Sequence, residues 1–116
     1  MTHDSRRSRR RNVTEPVDVL DTMTDQVIGR LGNVSESGML LIAHAPIVDD
    51  GLYQLRFNIR DGRGHETLVD VGAHLLWSAH ANTPGQAFAG LRFLTIAPDV
   101  LEALRNWVDA PGASTS

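Results

Sequence analysis

Between Thr67 and Ala79 the chain alternates with a period of two. Val69, Val71, Ala73, Leu75, Trp77 and Ala79 fall on one parity, and Asp70, Gly72, His74, Ser78 and His80 fall on the other. Only an extended strand sorts alternate residues onto opposite faces, so this stretch predicts a strand with one buried and one wet side. The run exceeds the roughly 5 to 6 residues of an average strand, so it is expected to bend, and Gly72 is where a bulge costs least. Just upstream, Tyr53, Leu55, Phe57 and Ile59 alternate with Gln54, Arg56, Asn58 and Arg60. The turn Asp61-Gly62-Arg63-Gly64 then joins the two strands as a hairpin.

Further strands are predicted over 17–20, 27–31, 39–43 and 88–95, separated by Asp-, Ser- and Gly-containing turns. Six short strands at regular spacing favour an all-β architecture, a small antiparallel barrel or sandwich. The period then changes: Val100, Leu101, Leu104, Trp107 and Val108 lie on one helical stripe, with Pro98 at the start, Asp99 and Glu102 in the first turn and Arg105 in the last. This C-terminal helix is expected to close one end of the barrel. The organisation predicted is a flexible Arg-rich arm over 1–12, a barrel with its helix over 13–109 and a disordered tail over 110–116.

The 116 residues suit one domain, large enough to build a core without disulfides or a structural metal. The absence of Cys and Lys removes a Cys nucleophile, a Cys-ligated zinc, a P-loop and a Schiff base from consideration. No apolar run approaches the ~18 residues of a membrane span, and no apolar stretch follows the basic N-terminus, so a cytoplasmic protein is expected. His74 and His80 share a strand face but stand about 20 Å apart, too far to share a metal. No metal site is expected. Trp77 and Trp107 are expected to pack in the core or at the barrel end, although a Trp near a purine site could stack.

Charge is segregated. Residues 1–11 hold five Arg against Asp4 alone, whereas the rest of the chain holds six Arg against 13 acids. Guanidinium groups present planar donors that fit phosphate or carboxylate, so the cluster points to an anionic partner. The acidic body repels polyanions, which argues against a nucleic acid polymer.

The Arg cluster and the later string Asn33-Val34-Ser35-Glu36-Ser37-Gly38 together resemble the PilZ domain family, whose motifs are R-x-x-x-R followed by [D/N]-x-S-x-x-G at a strand end. Arg11 and Asn33 stand 22 residues apart. Leu75-Leu76-Trp77 and Gly90-Leu91-Arg92-Phe93 are similar to the family's late strands. The resemblance implies a six-stranded antiparallel barrel that binds the bacterial second messenger cyclic di-GMP, a receptor and not an enzyme, with no cofactor beyond that ligand. Arg6, Arg7, Arg10, Arg11, Asn33, Ser35 and Gly38 would form its site. Both Arg6/Arg10 and Arg7/Arg11 satisfy the arginine motif, and Arg7/Arg11 is favoured because in the family the second arginine leads almost directly into the first strand and Arg11 is the last one before Val13.

The chemistry of the ligand agrees. A dianion with two guanines needs cations for its phosphates, which Arg supplies, and Arg also pairs with the guanine O6/N7 edge. Asn33 and Ser35, two residues apart on one strand, would offer an amide and a hydroxyl. Gly38 would supply a positive φ or a close backbone approach. A mobile arm that orders over the strand end on binding, signalling to a separate effector protein, completes the expectation. The alternatives are a PilZ-like interaction module without nucleotide binding and a serine hydrolase, for which no nucleophile-elbow pattern surrounds Ser35 or Ser37.

Overall fold

A computed structural model describes residues 9–61 and 63–110. Seven strands and one helix follow in order: β1 (Arg11–Asn12), β2 (Asp18–Asp21), β3 (Gln26–Val34), β4 (Gly38–Ala43), β5 (Leu52–Arg60), β6 (Glu66–His80), β7 (Ala87–Ile96) and α1 (Pro98–Val108). All pairings are antiparallel, and β3-β2-β5-β6-β7-β4 close into a six-stranded barrel because β4 also pairs with β3. The short β1 lies outside this ring, on β3, with Arg11 opposite Val34 and Asn12 opposite Asn33.

The alternation in the sequence becomes the barrel's inside and outside. Leu55, Phe57 and Ile59 of β5 and Val69, Val71, Ala73 and Leu75 of β6 are all buried, together with Val19, Leu31, Met39, Leu41, Ala89 and Leu91 from the other strands. α1 adds Leu104, Trp107 and Val108 to that core. Its Trp107 Nε1 donates to the carbonyl of Arg60, the last residue of β5, at 3.0 Å, which fixes the helix at that end of the barrel. A bulge does occur beside Gly72, but on the partner strand: the pairing slips from Gly72–Thr95 to Ala73–Phe93 and leaves Leu94 of β7 as the extra residue.

A second slip overturns the expected burial of Trp77. Leu75 faces Leu91 and Trp77 faces Gly90, so Leu76 is the extra residue. One inserted residue exchanges the two faces of a strand, and the odd positions that point inward as far as Leu75 point outward from Trp77 onward. Trp77 is consequently 51% exposed and Ala79 is exposed too, while Trp107 is 8% exposed and packs in the core as expected.

Candidate functional site

The two halves of the sequence motif meet through β1. Pairing of Asn12 with Asn33 brings the end of the Arg cluster beside the end of β3, and Arg10 Nη1 donates to Asn33 Oδ1 at 2.9 Å. Burial without a carboxylate partner lowers the pKa of Arg10 from its ordinary value. The guanidinium thus keeps its charge in a partly desolvated place, on a neutral amide oxygen, a setting that an anion would relieve.

Arg11 points the other way. Its Nη1 donates to the carbonyl of Trp107 at 2.7 Å, and its guanidinium carbon sits 4.0 Å from the indole centroid. Burial lowers its pKa and the charge of Glu15 opposes that shift. Successive residues of an extended chain face opposite sides, so Arg10 and Arg11 cannot both reach Asn33. The structure thereby places Arg10, not the favoured Arg11, at the strand end. Arg6 and Arg7 lie outside the described residues. Arg9 pairs with Asp109 at 3.3 Å, so within the stretch expected to be a flexible arm, positions 9 to 12 are held by α1 and β3.

Asn33 and Ser35 do not point the same way. A bulge at Gly32, where Leu31 faces Leu41 but Asn33 faces Leu40, turns Asn33 to the outer face, and β3 ends at Val34. Ser35 begins a tight turn with its side chain fully buried. Its Oγ accepts the backbone N–H groups of Ser37 and Gly38, each at 3.2 Å, while the Ser35 N–H donates to the Gly38 carbonyl at 2.8 Å. This is a hydroxyl used to close the strand end, as Ser residues often are in turns. Gly38 does not have a positive φ. It is needed for another reason: a Cβ there would collide with the carbonyl oxygen of Leu91, so the close approach is to β7 of the barrel.

Glu36, inside the same turn, pairs with Arg105 of α1. Both halves of the motif therefore also touch the last turns of the helix. On the outer face, Asn33 belongs to a row that continues through Leu40 and Gly90 to Trp77, with Gly38, Arg92 and His74 in the next row. Sequence reasoning placed Trp77 inside and passed over Leu40 and Arg92, because the bulges that bring these residues to one face leave no mark in the alternation. A cleft of about 630 Å³ lies on the other side of Arg11, lined among others by Glu15, Asp18, Asp61, Arg60 and Trp107. Among the described residues no cluster of three or more metal-ligating side chains occurs, and no helix is long and apolar enough to cross a membrane.

No curated protein matches the sequence. Solved structures do share its fold. The inhibitor of motility MotI/DgrA of Bacillus subtilis superposes with a TM-score of 0.69 at 15% identity, covering 85% of this chain and 47% of that one, so the chain spans about half that protein's length. The PilZ domain of YcgR from Escherichia coli, solved with c-di-GMP, superposes with a TM-score of 0.64 at 16% identity, covering 86% and 85% of the two chains. The sequence matches the PilZ domain over residues 4–110, nearly its whole length, and with the closed barrel and the joined motif this chain belongs to the PilZ domain family.

Proposed function

We propose that the protein is a cyclic di-GMP receptor that works as an adaptor, binding the nucleotide across Arg10 and Asn33 and passing the signal to a separate effector protein. The observation that carries this reading is Arg10: a partly buried guanidinium beside the strand-end motif, bonded to a neutral amide. A phosphate oxygen offers that cation a charge-assisted bond in place of a neutral one, roughly doubling its strength. Asn33 is freed at the same time to read a guanine edge. Arg6, four residues before Arg10, completes an R-x-x-x-R pair in this register, with Arg7 and Arg11 flanking it. The YcgR domain, which has the same fold, was solved with this ligand. In this reading the ligand draws residues 6–8 in beside Arg10 and orders them, changing the surface offered to the effector.

Isothermal titration calorimetry tests the proposal. Cyclic di-GMP should bind and GMP and GTP should not compete at equal concentration, because two phosphates and two bases must be met together. Truncation of Arg10 to Ala should weaken binding by roughly ten- to hundred-fold, the value of one charged hydrogen-bonding contact. A flat titration of the intact chain would sink the receptor reading in favour of a nucleotide-independent interaction module. Backbone NMR order parameters test the arm: those of residues 6–8 should rise on addition of ligand, and equal values with and without it would refute the ordering step.

A further inference from the structure

β6 outruns its neighbour on one side. β5 pairs with it only as far as Leu52 opposite His74, and the Leu75 N–H, donating to the Gly51 carbonyl at 2.9 Å, makes the last backbone bond there. From that point β6 runs on to His80 with β7 alone. The Ala81 N–H donates to the Gln86 carbonyl at 3.1 Å, Ala79 stands opposite Phe88 and Trp77 opposite Gly90. Alternation along an antiparallel ladder therefore turns the backbone groups of 77, 79 and 81 toward β7. The N–H and C=O groups of Ser78 and His80 point the other way, where no strand among the described residues meets them.

Free edges of this kind are ordinarily blunted by Lys, Pro or an inward-pointing charge. The stretch Leu76-Trp77-Ser78-Ala79-His80-Ala81 has none of these. Leu76, Trp77 and Phe88 are exposed beside it, and so are Val48 and Leu52 where β5 and its preceding loop stop short of it, five of the nine large apolar side chains exposed among the described residues. One register of an antiparallel copy of the same strand would satisfy every free group: Ser78 opposite His80 of the second copy, and His80 opposite its Ser78. A two-fold axis would then pass beside Ala79, which meets itself in the non-hydrogen-bonded position, where Cα atoms approach to about 4.5 Å. A methyl group fits there. Trp77 would stand opposite Ala81, large against small.

The side chains select the same strand. Residues directly opposite one another share a face of the sheet, so the residue facing Ser78 lies beside the exposed Asp49 carboxylate, to which Ser78 Oγ donates at 3.0 Å. In self-pairing that residue is His80, whose ring N–H is a donor for the carboxylate, and the two-fold axis repeats the contact. We propose that residues 77–81 of two copies of this chain pair edge to edge, antiparallel about an axis at Ala79, and join the two barrels through one continuous sheet. Nothing in this surface requires the nucleotide, so the pairing stands apart from the receptor reading. The paired segment is short, which puts the interface at the low end of the size range, under about 1,200 Å², and the dimer in exchange with the monomer.

Sedimentation equilibrium of the intact chain tests this and should show a monomer–dimer equilibrium that shifts toward the dimer as concentration rises. Hydrogen exchange at the Ser78 and His80 amides should slow over the same concentration range. Ala79→Lys sets two ammonium groups against each other at the axis and should raise the dissociation constant of the dimer roughly fivefold or more, while the monomer stays folded because Ala79 is exposed. The chain has no cysteine, so Ala79→Cys reports the register: a Cα separation of about 4.5 Å lies within the disulfide range, and oxidation should give a covalent dimer several times faster than it does for Thr83→Cys in the adjacent turn. A chain that stays monomeric up to the millimolar range would overturn the pairing and leave the receptor reading untouched. A dimer that Ala79→Lys does not weaken, and whose Ala79→Cys form cross-links no faster than Thr83→Cys, would overturn it too. Should a substitution disturb the fold, exchange in the unmodified chain decides, and rates at Ser78 and His80 that do not change with concentration overturn the proposal.

Discussion

Replacing Ser35 by Ala separates a structural from a ligand-binding role for the strand-end motif, and the two roles predict opposite results. The side chain is fully buried, and its oxygen accepts from the N–H of Ser37 and of Gly38, each at 3.2 Å. Both bonds lie at the long end of the N–H···O range, which limits what each contributes. Ser37 is exposed, so water replaces the lost acceptor there; Gly38 is buried, and its N–H loses the hydroxyl in a place water reaches poorly. Stranding one buried donor costs about 1 to 3 kcal/mol. In a domain of this size each kcal/mol moves the melting midpoint by roughly 4 °C, so a fall of about 4 to 12 °C is expected by calorimetry or circular dichroism. Affinity for cyclic di-GMP, measured at 25 °C where the variant is still folded, should stay within about threefold of the parent, a difference of ~0.6 kcal/mol. An unchanged midpoint with more than a tenfold loss of affinity would refute this reasoning, because the hydroxyl would then be meeting the ligand and not the turn.

Asn33→Ala should behave in the reverse way, lowering affinity with little change in melting, since Asn33 lies on the outer face and its amide oxygen serves Arg10. Arg11→Ala should lower the melting midpoint by several degrees, because it removes a stacked cation and a bond to the Trp107 carbonyl, together about 1 to 3 kcal/mol, while Arg10→Ala should leave the midpoint nearly unchanged and weaken the ligand. Gly38→Ala should give an insoluble or strongly destabilised chain, as its Cβ meets the backbone of Leu91 and β4 and β7 would have to part; a midpoint within 2 °C of the parent, or ~0.5 kcal/mol, would refute that. The N–H groups of His65 and then Arg63 hold the Asp61 carboxylate below its ordinary 3.8. A depressed folded value stabilises the hairpin above about pH 3.8 and is lost as pH falls through it, so Asp61→Asn should flatten the acid limb of the melting curve, and an unaltered limb would refute the assignment.

The barrel was legible because period-two alternation carries enough residues to outvote local noise: the odd positions from Val69 to Leu75 and from Leu55 to Ile59 are all buried. The helix was legible for the same reason, its stripe ending in Leu104, Trp107 and Val108. What the pattern could not carry are single-residue events. The bulge at Leu76 moves Trp77 outside, the bulge at Gly32 moves Asn33 outside, and β3 stops one residue before Ser35. Each changes which face a side chain takes, and each is decided by the register against the neighbouring strand, which alternation within one strand does not carry. The two-residue β1 is too short to show any period at all.

The arginine register shows why a cluster can announce a binding site and still conceal which residue serves it. Arg9, Arg10 and Arg11 are consecutive, so the sequence offers a guanidinium to either side of the strand whatever the register. The division of labour comes from the pairing of Arg11 with Val34 and Asn12 with Asn33. Val34 faces the core, so Arg11 is turned toward the barrel end, where it lies on Trp107; Asn33 faces out, so Arg10, on the same parity as Asn12, reaches the outer face. The odd residues accordingly tie the chain to α1, through Arg11 on Trp107 and Arg9 on Asp109, and Arg10 is left facing the outer strand end at Asn33, where the nucleotide is proposed to bind. The exposed Arg9 pair is worth little, and the stacked, partly buried Arg11 holds β1 in its register more firmly. In the proposed site, the choice of Arg10 over Arg11 thus depends on Trp107, a core residue of the C-terminal helix that stands far from both halves of the motif in sequence.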